Sequence, residues 1–171
     1  MESKPCSNSL AVKTSHVLPP DTNNHGTLFG GKLMAHIDDV AAIAAVRHCR
    51  LPVVTASTDS VDFLEPVKEG DSICVEAFVT WTHNTSMEVF VKAVMEELVT
   101  GKRSVCATAF TTFVAVDRNG HPVPIPSVYP ETEQEKYLHE GAPERAKHRK
   151  QRRGFSKEMA KNFGTAYPWG K

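Results

Sequence analysis

The sequence has no long apolar run, no close pair of cysteines and no histidine pair at the spacing of metal ligands. No stretch reaches the roughly 18 consecutive apolar residues that a membrane-spanning helix needs, and Met1–Pro5 has no apolar core of a secretory signal. The cysteines are far apart, at Cys6, Cys49, Cys74 and Cys106. Such spacing predicts reduced core residues rather than disulfides or metal ligands. We therefore expect a cytoplasmic protein without a membrane span or a metal.

Three motifs that identify large enzyme classes are also missing. The chain has no Gly-x-Ser-x-Gly nucleophile elbow, which disfavours a serine hydrolase of the α/β-hydrolase type. It has neither a Walker A loop for phosphates nor the Gly-x-Gly-x-x-Gly turn of dinucleotide-binding domains. The sequence therefore indicates no cofactor.

Charge is balanced over the whole chain but unevenly distributed. The 171 residues suit one domain with a real core, since 40% are hydrophobic, and basic and acidic residues number 20 each. Residues 145–171 carry nine basic side chains and one acid, whereas residues 1–144 carry 11 basic and 19 acidic side chains. A basic tail with aromatic residues is one pattern of nucleic-acid binding, but the acidic body and the lack of a known motif disfavour that partner.

Hydrophobic periodicity divides the chain into one apolar helix and several strands. The helix is predicted over Gly30–Cys49, where apolar residues recur at helical spacing and small side chains are frequent. Five segments alternate or are rich in valine and threonine, and we predict strands over Ser9–Leu18, Val53–Phe63, Ile73–Trp81, Met87–Leu98 and Val105–Val116. This order predicts an α+β fold, with an antiparallel sheet curled around one central helix.

The ends of the chain have weaker patterns. Residues 1–8 are expected to be disordered, and residues 9–128 to form the folded domain. Residues 129–153 are charged and helix-prone, which predicts a C-terminal helical extension interrupted at Gly141–Pro143. Residues 154–171 are expected to form a flexible basic tail. Because an open apolar sheet has exposed edges, we also expect the domain to pair with a second copy.

The predicted helix has an unusual start and an unusual middle. Gly30-Gly31 suit the tight start of a helix rather than its interior. Two acids, Asp38-Asp39, then interrupt a run of apolar and small residues. Two carboxylates in the middle of an apolar helix indicate a possible site.

The loop and the helix together carry a family pattern. Asn23-x-x-Gly26-x-x-x-Gly30-Gly31 followed by Ile37-Asp38-Asp39-Val40-Ala41 resembles the hotdog-fold acyl-CoA thioesterases, in the branch of the bacterial acyl-CoA thioester hydrolases and the vertebrate cytosolic, brain-type acyl-CoA hydrolase. The resemblance covers about residues 10–150. Further similar segments follow in order: Arg47-His48-Cys49, Thr55-Ala56-Ser57, Asp62-Phe63, Thr85-Ser86-Met87-Glu88-Val89, Phe113-Val114-Ala115-Val116 and Pro130-Glu131-Thr132-Glu133.

The resemblance implies a fold, an assembly and an activity. The fold is a sheet of five or six antiparallel strands around one long helix, and the assembly is a dimer that forms trimers of dimers. The activity is hydrolysis of acyl-CoA to a free acid and CoA, so that coenzyme A is part of substrate and product rather than a cofactor. The family's catalytic asparagine and helical acid correspond to Asn23 and Asp38.

The residue types at these positions suit thioester hydrolysis. Asp38 is either a general base or a nucleophile that forms a mixed anhydride, and burial in the apolar helix would make it a better base. Asn23 can orient water or polarise the carbonyl, and the N–H groups of Gly30 and Gly31 can stabilise an oxyanion. Structural interpretations remain open: a turn residue for Asn23, a core acid paired with Arg47 or the backbone for Asp38, and a structural or auxiliary Asp39.

Coenzyme A needs a separate binding surface. The turn Asn84-Thr85-Ser86 is expected near CoA, and Arg103 and the basic run Arg145–Arg153 are weaker candidates. Alternatively, the basic run forms a solvated helix face.

The catalytic pair is expected to be shared between two chains. Asp38 lies about 12 Å along the helix from Gly30, at about 1.5 Å per residue, whereas Asn23 precedes the helix. Asn23 is therefore expected to approach Asp38 of the partner subunit. The alternative functions are a non-catalytic acyl-CoA-binding regulator and a hotdog dehydratase, which is disfavoured because the helix offers no histidine–acid pair.

Overall fold

The computed structural model describes residues 2–165. Its elements are, in chain order, β1 (Lys4–Pro5), a 3₁₀ turn (Cys6–Ser9), β2 (Ala11–His16), a second 3₁₀ turn (Pro19–Asp21), α1 (Gly30–Cys49), β3 (Val53–Phe63), β4 (Ser72–Thr82), β5 (Ser86–Glu97), β6 (Lys102–Ala115), β7 (Val128–Tyr129) and α2 (Glu133–Phe163). None of the helices in residues 2–165 is long and apolar enough to cross a membrane.

A five-stranded antiparallel sheet forms the body of the protein. Its strand order is β2-β4-β5-β6-β3, so β2 and β3 are the two edge strands. The pairing of β3 with β6 contains two irregularities, between Thr55 and Ser57 and between Thr58 and Ser60. The long edge strand β3 is mostly exposed along its length. The predicted α+β architecture, with a sheet wrapped around one long helix, is confirmed.

The core lies between α1 and the inner face of this sheet. The buried stripe of α1 has the spacing of one helical face, with Leu33, Ile37, Val40, Ala41 and Ala44 all buried. Alternate residues of the facing strands are buried too, among them Val75, Ala77, Val79, Val89 and Val91. Small side chains along α1 allow the helix to approach the curved sheet closely. α1 and β3 begin and end at the residues that the sequence predicted.

The expectation that residues 1–8 are disordered is wrong for residues 4–8, which belong to β1 and the first 3₁₀ turn. β1 pairs in parallel with β7, and the Cys6 side chain is fully buried. The hydroxyl of Ser9 donates to the Cys6 carbonyl (2.7 Å) and accepts from the backbone N–H of Val79 (2.8 Å). The β1–β7 pairing and the bond between Ser9 and Val79 join residues far apart in the chain, and for this reason local composition could not predict them.

The expected break in the C-terminal helix is also wrong. α2 continues through Pro143 to Phe163, so residues 154–163 are helical rather than a flexible tail, and only the end of that tail, residues 166–171, lies outside the described residues. The helix begins with a capping box in which Thr132 and Glu135 bond to each other's backbone N–H groups. Buried contacts on both sides of Pro143, including Ala142 and Arg149, outweigh the cost of the proline.

Charged side chains attach α2 to the outer face of the sheet. Arg145 donates to the fully buried carboxylate of Glu88 (Nη2–Oε1 2.7 Å). Asp59 accepts from Arg149 (Nη1–Oδ2 2.8 Å) and from Arg152 (Nη2–Oδ1 2.6 Å). We call these five residues the α2 clamp. Because both acids are largely buried, the clamp explains why such a polar helix has a fixed position.

The cysteines are free, as the sequence predicted. Burial raises the pKa of the Cys6 thiol to about 12 and that of Cys106 to about 11. Few thiolates therefore form at these positions near neutral pH, and both cysteines act as core residues.

Candidate active site

Asp38 lies on the flank of α1 next to the edge strand β3. Its neighbours Ile37 and Val40 are buried, whereas Asp38 itself is exposed in the single chain, so the expected burial of its carboxylate does not occur within one protomer. The hydroxyl of Thr55 on β3 donates to Asp38 Oδ1 at 3.0 Å. No described residue donates to the second carboxylate oxygen. This oxygen is therefore available to a water molecule or a substrate.

The structural interpretation of Asp38 is not supported, whereas that of Asp39 is. Arg47 donates to the backbone carbonyl of Leu10 and not to Asp38. Asp39 forms an exposed ion pair with Lys13 (2.7 Å). The two adjacent acids therefore have different roles: one is tied to a lysine at the surface, and the other is oriented by a threonine.

Thr55 is a candidate site residue that the sequence interpretation missed. It lies 17 residues from Asp38 in the chain, on a different element, and immediately before the first irregularity of β3. Bulges next to functional sites commonly redirect a side chain. The only signal in the sequence was the segment Thr55-Ala56-Ser57, which entered the family resemblance but was assigned no role.

Asn23 organises the loop before α1. Its Oδ1 accepts from the backbone N–H of His25 (2.9 Å) and of Thr27 (3.3 Å), and its Nδ2 donates to Thr27 Oγ1 (3.0 Å). The turn interpretation of Asn23 is thus correct within the chain. Its amide still has a second N–H to donate. Among residues 2–165 no hydrogen bond joins Asn23 to Asp38, so one protomer does not assemble the expected pair.

The start of α1 presents unbonded backbone donors. Phe29 precedes the helix and provides no side-chain cap. The first helical N–H groups that bond backward are those of Lys32 and Leu33, both to the Phe29 carbonyl. Within the described chain, the N–H groups of Gly30 and Gly31 have no partner. Such a helix start favours negative charge, as the oxyanion expectation requires.

An apolar cavity of about 330 Å³ opens beside Gly30. Its walls come from the loop and first turn of α1 and from the end of β3 with the segment after it: Leu28, Gly30, Leu33, Phe63, Leu64, Glu65, Pro66 and Val67. This volume is at the lower end of small-molecule sites. A hydrocarbon group and a carbonyl oxygen could therefore lie close to the helix start at the same time.

The candidate CoA residues do not lie together in one protomer. The turn Asn84–Ser86 is at the start of β5, where backbone bonds to Ala115 and Ile125 fix it. Arg103 pairs with Glu96 (2.9 Å) at the other end of β5, and a strand of this length spans about 40 Å at about 3.3 Å per residue. In the Arg145–Arg153 run, which was a weaker CoA candidate, three of the four arginines already bind carboxylates of the α2 clamp.

Exposed apolar side chains lie along α1 near Asp38. Met34 is about one turn before Asp38 and Val46 about two turns after it, and each is more than two-fifths exposed. The edge strand β3, which carries Thr55, has no buried residue along its length. An unpaired sheet edge beside exposed apolar side chains is suited to contact another chain.

The thioesterase superfamily model matches residues 25–102. The chain is 57% identical over 168 residues to an uncharacterized acyl-CoA thioester hydrolase of Bacillus subtilis, YkhA, with 98% of each chain covered. A solved apo-hexameric acyl-CoA thioesterase is similar in structure, with a TM-score of 0.87 and 49% identity over 89% of this chain and 97% of that chain.

An acyl-CoA hydrolase of Staphylococcus aureus gives a residue-level comparison. It was solved in complex with butyryl-CoA, CoA and CoA disulfide, and has a TM-score of 0.90 and 44% identity over 95% of this chain and 99% of that chain. Single alanine mutants of that enzyme were solved at an asparagine, an aspartate and a threonine. That asparagine precedes the aspartate by 15 residues and the threonine follows it by 17, which are also the spacings of Asn23, Asp38 and Thr55.

The fold of this chain thus agrees with that of acyl-CoA hydrolases that match nearly its whole length. The sheet wrapped around α1 is the fold that the family resemblance implied, and α1 follows the Asn23 loop and carries Asp38. The chain therefore belongs to the thioesterase superfamily, among its hotdog-fold acyl-CoA thioester hydrolases.

Proposed function

We propose that the chain hydrolyses acyl-CoA at a site shared between two subunits, with Asp38 from one chain and Asn23 from the other. The observation that carries this proposal is the hydrogen bond from Thr55 to Asp38 on an exposed, partly apolar surface. A carboxylate held in one orientation, with its other oxygen free, suits the activation of water.

A second subunit would complete the site. β3 is the long exposed edge of the sheet, and antiparallel pairing of two β3 strands about a two-fold axis would join two sheets into one. The two α1 helices would then lie antiparallel on one face of the joined sheet, and the flanks that carry Asp38 would face each other. This arrangement would bury Met34 and Val46, exclude water around Asp38 and bring in the partner's loop.

The proposed chemistry begins with water and the thioester. Asp38 removes a proton from water as the water oxygen bonds to the carbonyl carbon, and the N–H groups of Gly30 and Gly31 from the chain that provides Asn23 stabilise the oxyanion. The carbon–sulfur bond then breaks, and the CoA thiolate leaves and is protonated. In the alternative route Asp38 attacks the carbonyl directly and water hydrolyses the resulting mixed anhydride. Asn23 positions the water or the carbonyl oxygen in both routes.

CoA binding is proposed at the turn Asn84–Ser86. Arg103, at the other end of β5, would contact the same CoA only from another subunit. We also propose that the dimers assemble into a hexamer as trimers of dimers and that the protein acts in the cytoplasm, in line with the hexameric and cytosolic relatives.

Release of CoA thiol from an acyl-CoA, followed with a thiol reagent, tests this function. We expect steady thiol release by the parent enzyme, loss of at least about a hundredfold in kcat for Asp38→Asn, and little change for the matched control Asp39→Asn. A non-catalytic acyl-CoA-binding regulator would bind acyl-CoA without releasing thiol, and equal losses in the two variants would contradict the assignment of Asp38.

A further inference from the structure

α2 crosses the outer face of the sheet toward the β3 edge. Near its start, His139 Nδ1 contacts the backbone carbonyl of Thr80 on β4 (2.8 Å). Two turns later Arg145 bonds to Glu88 on β5. Arg149 and Arg152 then reach Asp59 on β3, which is the edge strand. The helix therefore reaches the edge of its own sheet at about Arg152.

The helix does not end where the sheet ends. α2 continues to Phe163, and the remaining 11 residues extend it by about 16 Å at about 1.5 Å per residue. Every side chain in residues 150–165 is exposed. We call residues 153–163 the α2 arm. A helix of this length is marginal in water without packing, and the glycine at position 154 weakens it further.

The arm has an apolar stripe that nothing in its own chain covers. Phe155, Met159 and Phe163 recur every four residues and so lie on one side of the helix. They are 65%, 41% and 77% exposed. Three large apolar side chains on an otherwise polar helix indicate a surface that packs against another molecule.

Basic side chains lie on the side of the arm opposite to the apolar stripe. Arg153, Lys157 and Lys161 recur at helical spacing and form no ion pair within residues 2–165. Residues 1–144, which include the sheet, carry an excess of acidic over basic side chains, 19 against 11. The net charge of the arm is therefore opposite in sign to that of residues 1–144 of a second copy, which favours their approach.

We propose that the α2 arm crosses the seam between two β3 strands and packs on the outer face of the partner's sheet. The inference rests on the β3-edge dimer of the proposed function. At a strand spacing of about 4.8 Å, an arm of about 16 Å covers about three strands beyond the edge. The α2 clamp fixes the direction of the arm, and the arm joins the subunits on the side opposite to the catalytic surface.

Matched triple substitutions in the full-length protein test this role. Phe155, Met159 and Phe163 are changed to serine in one variant, and the exposed polar residues Gln151, Glu158 and Asn162 of the same turns are changed to serine in the control. Sedimentation velocity over a dilution series measures the concentration at which each oligomer dissociates. We expect the apolar variant to dissociate at concentrations at least tenfold higher than the control does. Equal dissociation of the two variants would overturn the proposal.

Cross-linking identifies what the arm contacts. With a photoreactive phenylalanine at position 155 or 163, we expect cross-links between two copies of this chain, to the outer sheet face or α2 of the partner. If the apolar variant keeps its mass but loses binding to vesicles with anionic lipids, the arm is a membrane-surface helix instead and the proposal is wrong. Thiol release by the parent enzyme tests the proposed function independently, since it does not depend on either result.

Discussion

At the scale of single residues, the account depends on how one carboxylate is held. Asp38 and Asp39 are adjacent in sequence and both exposed in one protomer, but one accepts from Thr55 and the other pairs with Lys13. A hydrogen bond to a charged group contributes about 1.5–3 kcal/mol. We therefore regard Thr55 as a positioning residue that fixes the direction of the Asp38 carboxylate.

Replacement of Thr55 with valine tests this role. Valine keeps the shape of threonine and removes the hydroxyl, so we expect kcat to fall about 10- to 150-fold, the equivalent of about 1.5–3 kcal/mol. KM should change little, because Thr55 is assigned no contact with CoA. Thr58→Val on the same strand is the control and should leave kcat near that of the parent. A wild-type kcat for Thr55→Val would remove Thr55 from the site.

Individual site residues were predictable to different degrees. The sequence predicted Asn23, Asp38, Gly30 and Gly31 because they form one short pattern in a loop and the helix after it. It could not predict Thr55, whose contact with Asp38 depends on an irregularity in a strand on another element. Nor could it show that Arg103 pairs with Glu96, because that contact depends on the register of β5 and β6.

At the scale of elements, α2 is the part of the fold that charge holds in place. Burial by itself raises the pKa of Asp59, but hydrogen bonds from Ser57, Arg149 and Thr112 outweigh it and hold the pKa below its usual range. A neutral substitution in such a buried network leaves a charge without its partner. The strength of the α2 clamp is therefore measurable as stability.

Removal of one clamp arginine should destabilise the fold. We expect Arg149→Met to lower the free energy of unfolding by about 3 kcal/mol, at the lower end for a broken buried ion pair, because Arg152 still faces Asp59. Lys147→Met, which removes an exposed ion pair with Glu144, should cost less than about 1 kcal/mol. Urea denaturation of both variants measures the difference. Equal stabilities would show that the clamp does not hold α2.

The pH dependence of stability should reflect Asp59. Its pKa is lower in the folded state, so its contribution is fully present above the unfolded pKa of about 3.9 and is lost as the pH falls through the folded value. Between about pH 5 and pH 3, Asp59→Asn should therefore lose less stability than the parent does. Denaturant titrations at a series of pH values measure this slope. Parallel curves for the two proteins would contradict the assignment.

Element boundaries were predictable where periodicity is strong and local. The bounds of α1 and β3 agree with their hydrophobic patterns, because each element buries one regular face. α2 and Lys4–Ser9 were not predictable in this way. α2 is polar and contains Pro143, and it is stabilised by the α2 clamp rather than by an apolar face. The N-terminal segment is fixed by contacts such as that from Ser9 to Val79, 70 residues away.

At the scale of the whole molecule, the two edges of the sheet are not equivalent. β2 is a short edge of six residues, whereas β3 is a long edge of 11 residues next to the exposed side of α1. Asp38 and Asn23 form no hydrogen bond with each other within residues 2–165. In the proposed dimer, pairing along β3 brings the two groups together, so activity should depend on this assembly.

A lysine substitution on each edge strand tests which of the two edges is used for assembly. Val54 on β3 and Val12 on β2 are similarly exposed, 49% and 54%. We expect Val54→Lys to lower both the mass of the assembly and the rate of thiol release, because the new charge would lie on the edge along which two β3 strands are proposed to pair. Val12→Lys should leave the rate of thiol release unchanged. Light scattering measures the mass, and an active Val54→Lys monomer would contradict a shared site.

Complementation between two inactive variants tests the shared site most directly. Asn23→Ala and Asp38→Ala are each expected to lose orders of magnitude in kcat while CoA binding is nearly unchanged. The two proteins are mixed, denatured and refolded together, and mass spectrometry confirms that mixed dimers form. Each mixed dimer would contain one site with both groups intact, so random pairing should restore about a quarter of the parent's thiol release. A mixture that exchanges subunits but stays as inactive as its components would show that Asn23 and Asp38 act within one subunit.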